Sequence, residues 1–343
     1  MAPSDLPIVL YRYEESPYAR NIAWYLTLRK IPFSICNQPR IMPRPDIALL
    51  GIKYRRIPIL SIGSDVYLDT RLMLSKLESL FPPSPAHPSL SPSTPESAAL
   101  THLLSYRIVE GGLFFASVPC FPSGMFDDAA FQKDRADLLG IDPESAAKGP
   151  LGSKTRGGQR PAARNEVRTY MHWLEEGLLA ERDWVLGGSG PSVADIWAIW
   201  IPMWLRQVPG TLPAGKEECP KVWAWFERFD AAIAAREAER GPLPTLDGAE
   251  AAKLVTASAL AEGTERDTVA QDDPVVQAEG LQKGMRVAVW PSDYGFTRQD
   301  RGTLVKVDEE EFVIEAQGEY GNIRLHAPRR GYKIGKETTS SKM

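Results

Sequence analysis

The sequence predicts an α+β chain of several domains, and three observations carry that reading. Strand-like apolar runs alternate with helix signals over residues 7 to 82. Apolar residues then recur at helical spacing to about residue 240. From 281 to 335, short alternating segments are separated by turns. The 343 residues suffice for two or three domains, and 43% hydrophobic with 24% charged places the chain among ordinary globular proteins. A formal net charge of -4 gives no electrostatic reason to expect nucleic acid or an anionic membrane as partner. Cys36, Cys120 and Cys219 are far apart and form no C-x-x-C, so neither a redox pair nor a zinc knuckle is indicated. His87, His102, His172 and His326 are scattered, and no metal is expected. Nothing near the N-terminus reads as a signal peptide and no run is long enough to span a bilayer, so a reducing, intracellular setting is expected.

In the first part, Pro7 to Leu10 reads as a buried strand and Ile22 to Lys30 as a helix. Between them lies Tyr11 to Asn21, around which the rest is organised. Pro17 suits the first helical position, and Ser16 before it is an N-cap candidate. That turn places one hydroxyl among unpaired backbone N–H groups at the positive end of a helix, a place that suits an anion or a thiolate. Taken alone, Ser16 reads simply as a cap. Pro32 to Cys36 is a second strand, and 37 to 56 read as irregular. Ile57 to Ile62 and Val66 to Leu68 form a hairpin through Gly63-Ser64-Asp65. A proline inside a strand needs a reason, and a cis Ile57-Pro58 bond supplies one, leaving the Ile57 backbone free to pair with a ligand. Asp69 or Thr70 caps a helix from Leu72 to Leu80, with Arg71 in its first turn.

Residues 83 to 98 are a proline- and serine-rich linker. Helices are expected at 98 to 115, 126 to 139, 165 to 180 and 220 to 238, with 140 to 162 as a mobile surface loop. Gly187 to Trp197 carries Ser192-x-x-Asp195, a capping-box spacing ahead of an apolar helix, and is assigned to folding rather than catalysis. Residues 241 to 280 read as a second linker, and the strands after it as a small SH3-like β-barrel that needs a neighbour to pack on. The expected domains are therefore 1–83, 96–240 and 281–335.

Ser-Pro-Tyr at a strand–helix turn, then Arg-Ile-Pro-Ile-Leu, then Leu-Asp-Thr at a helix start, resemble the thioredoxin-like domain of glutathione transferases. Residues 96 to 240 resemble that family's all-helical domain, and a transferase-like body with such a tail resembles a group of fungal proteins. The resemblance implies glutathione as cosubstrate. Ser16 would donate to its sulfur, with Tyr13 and Tyr18 as rivals. Ile57, next to Pro58, would pair with the cysteinyl backbone. Asp69 and Thr70 would hold the γ-glutamyl group, with Thr70 in place of the commoner serine and Arg71 beside it. A hydrophobic acceptor would lie between the domains against Tyr106, Phe114, Phe115, Trp197, Trp200, Met203 and Trp204, although core packing is the simpler reading for any one of these. The absence of cysteine at position 16 favours conjugation, isomerisation or elimination over thiol reduction. Other readings are a natural-product cyclase, isomerase or dehydratase using the same pocket, and an inactive scaffold. The resemblance also implies a homodimer. Cytoplasm is the default location, with Ser341-Lys342-Met343 as a variant peroxisomal address.

Overall fold

The structure, a computed structural model, describes residues 3–109 and 112–337. The apolar run becomes β1 (Ile8–Arg12), and Ser-Pro starts α1 (Pro17–Leu28). Strand β2 (Ser34–Asn37) runs parallel to β1, and the segment read as irregular contains a short α2 (Pro45–Ala48). Then β3 (Ile59–Ile62) and β4 (Asp65–Leu68) form the expected hairpin, with β3 antiparallel to β1, and α3 (Thr70–Leu80) follows.

β1 is apolar along its length because both of its faces are covered. Ile8 and Leu10 point into a core shared with α1, α3 and the helical domain. Val9 and Tyr11 point into a second core, shared with strands from the far end of the chain. Strand alternation thus divides the first sheet between two neighbours.

The helical part comprises α4 (Pro95–Val109), α5 (Leu113–Ser117), α6 (Ala129–Leu139), α7 (Pro143–Lys148), α8 (Ser153–Trp173), α9 (Val193–Arg206) and α10 (Pro220–Arg240). Here one expectation is corrected. The stretch expected to be a mobile loop, 140 to 162, holds α7 and the first turns of α8, with Pro161 inside the helix. Arginines dock it instead of an apolar stripe. The buried Arg156 pairs with Asp127 at 2.5 Å and covers the Phe126 ring, while Arg164 donates to the Gly210 carbonyl at 2.9 Å. Helix α9 is the buried centre of the unit, as its apolar sequence and capping box imply.

The second correction concerns 241 to 280. It carries α11 (Gly248–Thr256) and α12 (Pro274–Glu279) and is laced to the first sheet. Ile35 N–H donates to the Pro244 carbonyl at 2.8 Å, and Leu246 N–H to the Ile35 carbonyl at 2.9 Å. Asp65 accepts from the backbones of Ala261 at 2.6 Å and Glu262 at 3.1 Å. Its apolar contacts are few and small: Ala251, Ala252 and Val255 of α11 and Val276 of α12 enter the second core, while backbone groups and the Asp65 carboxylate fasten the rest.

The C-terminal strands are β5 (Arg286–Pro291), β6 (Asp300–Val307), β7 (Glu311–Gln317), β8 (Asn322–Pro328) and β9 (Tyr332–Lys336). β5 to β8 form a meander, and β9 returns to β5, an order compatible with the expected small barrel. β8 also pairs parallel to β4, with Asp65 opposite Arg324, so all nine strands form one continuous sheet.

A buried polar knot fastens this join. His326 lies 2.9 Å from Asp65 and 3.0 Å from Glu311, with Glu262 at 3.6 Å. Lys76 bridges Glu262 and Glu311, and Lys306 binds Glu311 as well. Ligand-type atoms of Glu262, Glu311 and His326 lie within 4.8 Å of one another, but the two ammonium groups already serve these carboxylates.

Candidate functional site

Ser16 caps α1 with extended backbone, φ -68° and ψ 113°, and Pro17 takes the first helical position. Its Oγ accepts from the Ala19 N–H at 3.2 Å, and its hydrogen has no acceptor among the described residues. Ser16 is buried, 1% exposed.

The Ile57-Pro58 bond is cis, as is Met42-Pro43, which sequence reading missed. Among the described residues the Ile57 backbone has no hydrogen-bond partner. At the start of α3, Asp69 is the N-cap and Thr70 is buried. Asp69 has φ 68°, a left-handed conformation that costs a side-chain-bearing residue on the order of 1–3 kcal/mol and is found mostly at functional sites. Arg71 folds back on it, donating from Nε and Nη2 to the two carboxylate oxygens at 3.0 Å each. The pair presents a cation and an anion side by side.

Of the tyrosines proposed as rivals to Ser16, Tyr13 is half-buried beneath the Arg44 guanidinium. Tyr18 sits at the meeting of all three parts. Its ring lies 4.7 Å from Trp200 and 5.0 Å from Phe114. Burial pushes its phenol well above the usual tyrosine value. Tyr294 and Asp69 add to this, while Arg56 and Arg71 pull against it. Tyr18 therefore stays protonated.

The aromatic residues proposed to line an acceptor pocket separate into two groups. Trp197, Trp200 and Met203 are core, and the Trp200 indole N–H is buried with no partner among the described residues. Phe114 stacks between Trp200 and Trp204 at 5.7 and 5.3 Å, and Phe115 meets Phe114 edge-on at 5.0 Å. Phe115 and Tyr106 are largely exposed.

Sequence reading missed what the C-terminal strands bring to these residues. Tyr294, between β5 and β6, meets Phe115 edge-on at 5.0 Å. Arg56 lies 4.4 Å over the Tyr294 ring, donates from Nε to its carbonyl at 3.0 Å and pairs with Asp293. Tyr332 and Tyr54 are buried with their hydroxyls 2.8 Å apart. Arg330 covers the Tyr106 ring at 4.6 Å. Asp300 accepts from the backbones of Lys53 at 2.6 Å and Tyr54 at 3.2 Å, and burial, against those hydrogen bonds, pushes its carboxyl up to about 7. Arg56, beside the cis-proline motif, and Tyr106 carried a sequence hint; Tyr54 lies in the segment read as irregular, and Tyr294, Asp300, Arg330 and Tyr332 belong to a part of the chain read as separate.

Two surface cavities lie elsewhere. One of about 330 Å³ is lined by Pro7, Phe33 and Pro244, among others; one of about 390 Å³ is lined by Thr94, Leu100 and Arg182, among others. Neither includes a site residue named above. The terminal Ser341-Lys342-Met343 lies outside the described residues. Among the described residues no helix is long and apolar enough to cross a membrane.

Residues 10–85 match the family model described as glutathione S-transferase, N-terminal domain, and residues 116–238 match a domain of unknown function, DUF7962. A GST-like protein from Pseudomonas syringae superposes with TM-score 0.69 at 24% identity, covering 96% of this chain and 99% of its own. The beta-etherase LigF from a Sphingobium species superposes with TM-score 0.50 at 19% identity, covering 68% of this chain and all of its own. Among curated proteins, none matches this sequence. The chain has the glutathione-transferase-like fold: a thioredoxin-like N-terminal domain, then a helical domain.

Proposed function

We propose that this protein is a glutathione-dependent enzyme that activates the tripeptide's thiol and directs it at a hydrophobic small molecule. The observation that carries the reading is the open cap at Ser16. A hydroxyl with an uncommitted hydrogen, set at a helix N-terminus, favours a thiolate over a thiol and lowers its pKa. Ser16 donates to the sulfur without becoming a nucleophile itself. Ile57 pairs with the cysteinyl backbone, beside Pro58. Arg71 and Asp69 together match the carboxylate and ammonium of the γ-glutamyl end, and Thr70 adds the α3 N-terminus. Tyr18 is a second neutral donor at the same place.

The reaction is conjugation, isomerisation or elimination, since position 16 offers no cysteine for disulfide exchange. The beta-etherase likeness is at the level of fold and does not choose among these. A homodimer belongs to this reading, formed on surfaces other than the β4 edge, which β8 already occupies. Light scattering that finds only monomer rejects the dimer.

Titration calorimetry with glutathione tests the binding. Dissociation constants between micromolar and millimolar are expected, in the range usual for enzyme substrates. No heat and no retention on immobilised glutathione at millimolar concentration would refute the reading.

A further inference from the structure

Phe115, Tyr294 and Arg56 come from three different parts of the chain and meet around the Tyr294 ring. The loop between β5 and β6 is held there from both sides. Arg56 binds the Tyr294 carbonyl and the Asp293 carboxylate, and Gly295 N–H donates to the Leu138 carbonyl at 2.7 Å. The Phe296 ring lies against Gly140, where a side chain would collide with it. Tyr294 is thus fixed in position and yet half-exposed. Its ring touches the exposed Phe115, which leads through Phe114 to Tyr18 and Trp204. Together the rings make a ladder from the start of α1 to the C-terminal strands. Arg56 occupies one part of the Tyr294 π-system and withdraws electron density from it, which favours stacking with a second ring.

We propose that Tyr294, carried by the C-terminal strands, is a specificity-determining residue of the acceptor site, completing with Phe115 a wall that selects flat aromatic acceptors. This rests on the reading that the adjoining site holds glutathione. It gives the C-terminal strands a part in substrate choice.

The test uses two glutathione derivatives that bind without turnover, S-methylglutathione and S-dinitrophenylglutathione, titrated calorimetrically into the full chain, Tyr294→Ala and Tyr294→Phe. The native protein should bind the dinitrophenyl derivative more tightly than the methyl one. Tyr294→Ala should lose up to about ten-fold in affinity for the dinitrophenyl derivative, the scale of one aromatic pair, with the methyl derivative unaffected. Tyr294→Phe should retain the preference, because it keeps the ring. The proposal is overturned if the alanine variant keeps the preference, if both derivatives weaken equally in it, or if the native protein binds both alike. If neither derivative binds the native protein, the glutathione reading falls and the proposal falls with it.

Discussion

Ser16 and Ser192 stand at the same structural position, the N-cap of a long helix behind which a domain packs. Their surroundings differ in one respect. Ser192 has a carboxylate three residues on, and the box is closed. Its hydroxyl donates to Asp195 at 2.6 Å, and its N–H to the same carboxylate at 2.8 Å. Asp195 also accepts from the Val185 N–H and the Trp225 indole, both at 2.9 Å. Ser16 has alanine at that place and keeps a hydrogen to give. A closed cap serves the fold, whereas an open one keeps a donor that the proposed reading gives to a ligand. The His326 knot is a third case, closed on every side and placed where two domains join.

The closed groups are the ones whose loss should cost most stability. His326→Ala leaves Asp65, Glu311 and Glu262 around a hole with an unbalanced charge. About 3–5 kcal/mol of destabilisation is expected, the scale for breaking a buried ion pair from one side. Chemical denaturation with an unchanged midpoint would show that the knot does not hold the join.

The same knot sets a pH dependence. Burial opposes the imidazolium, but hydrogen bonds to Asp65 and Glu311 outweigh it and push His326 up to about 9 from its ordinary 6.5. Burial likewise opposes the Asp65 and Glu311 carboxylates, and His326 outweighs it, holding both below their ordinary values. A raised histidine contributes its stability fully below 6.5 and loses it as pH climbs through about 9. Depressed carboxylates contribute above their ordinary range and lose that contribution as pH falls. Stability should therefore decline on the alkaline side through pH 9, and the decline should be smaller in His326→Ala. Parallel pH curves for the two proteins would contradict this.

Asp195→Ala comes next. Burial raises its carboxyl, against the hydrogen bonds it accepts. Its removal strands the donors of Val185, Ser192 and Trp225. About 3 kcal/mol should be lost, from a charge-assisted cap whose donors have no water to turn to. Turnover of the remaining folded fraction should be normal. Normal melting with lost turnover would move Asp195 out of the fold and into the chemistry.

How much of this was legible in the sequence follows the same division. Local signals were readable where the chain satisfies itself nearby: Ser-Pro before α1, the Ser192–Asp195 box, the Gly63 hairpin, the cis-proline inside a strand pattern. Domain content was readable from periodicity. What was missed is held together over long sequence separations by polar groups. The Arg156–Asp127 pair docks a helix that reads as a loop. Asp65, in a hairpin, fixes a segment that reads as a linker. Of the candidate site, Ser16, Ile57, Pro58, Asp69 and Arg71 were named from motifs. Tyr294 and Tyr332 come to it with the C-terminal strands, which join the first sheet where β8 adds to the edge of β4, and no local pattern announces which edge a strand will choose.

The smallest effect on stability is expected at Ser16, and it decides the most. Ser16→Ala should cost about 1 kcal/mol, the worth of an N-cap. The direct measurement is the ionisation of bound glutathione, followed by thiolate absorbance against pH in the native protein and in Ser16→Ala. The native protein should hold the thiol well below its value in water, and Ser16→Ala should return it toward that value while still binding the tripeptide. An equally lowered thiol pKa in both proteins would contradict the account and pass the donor's role to Tyr18.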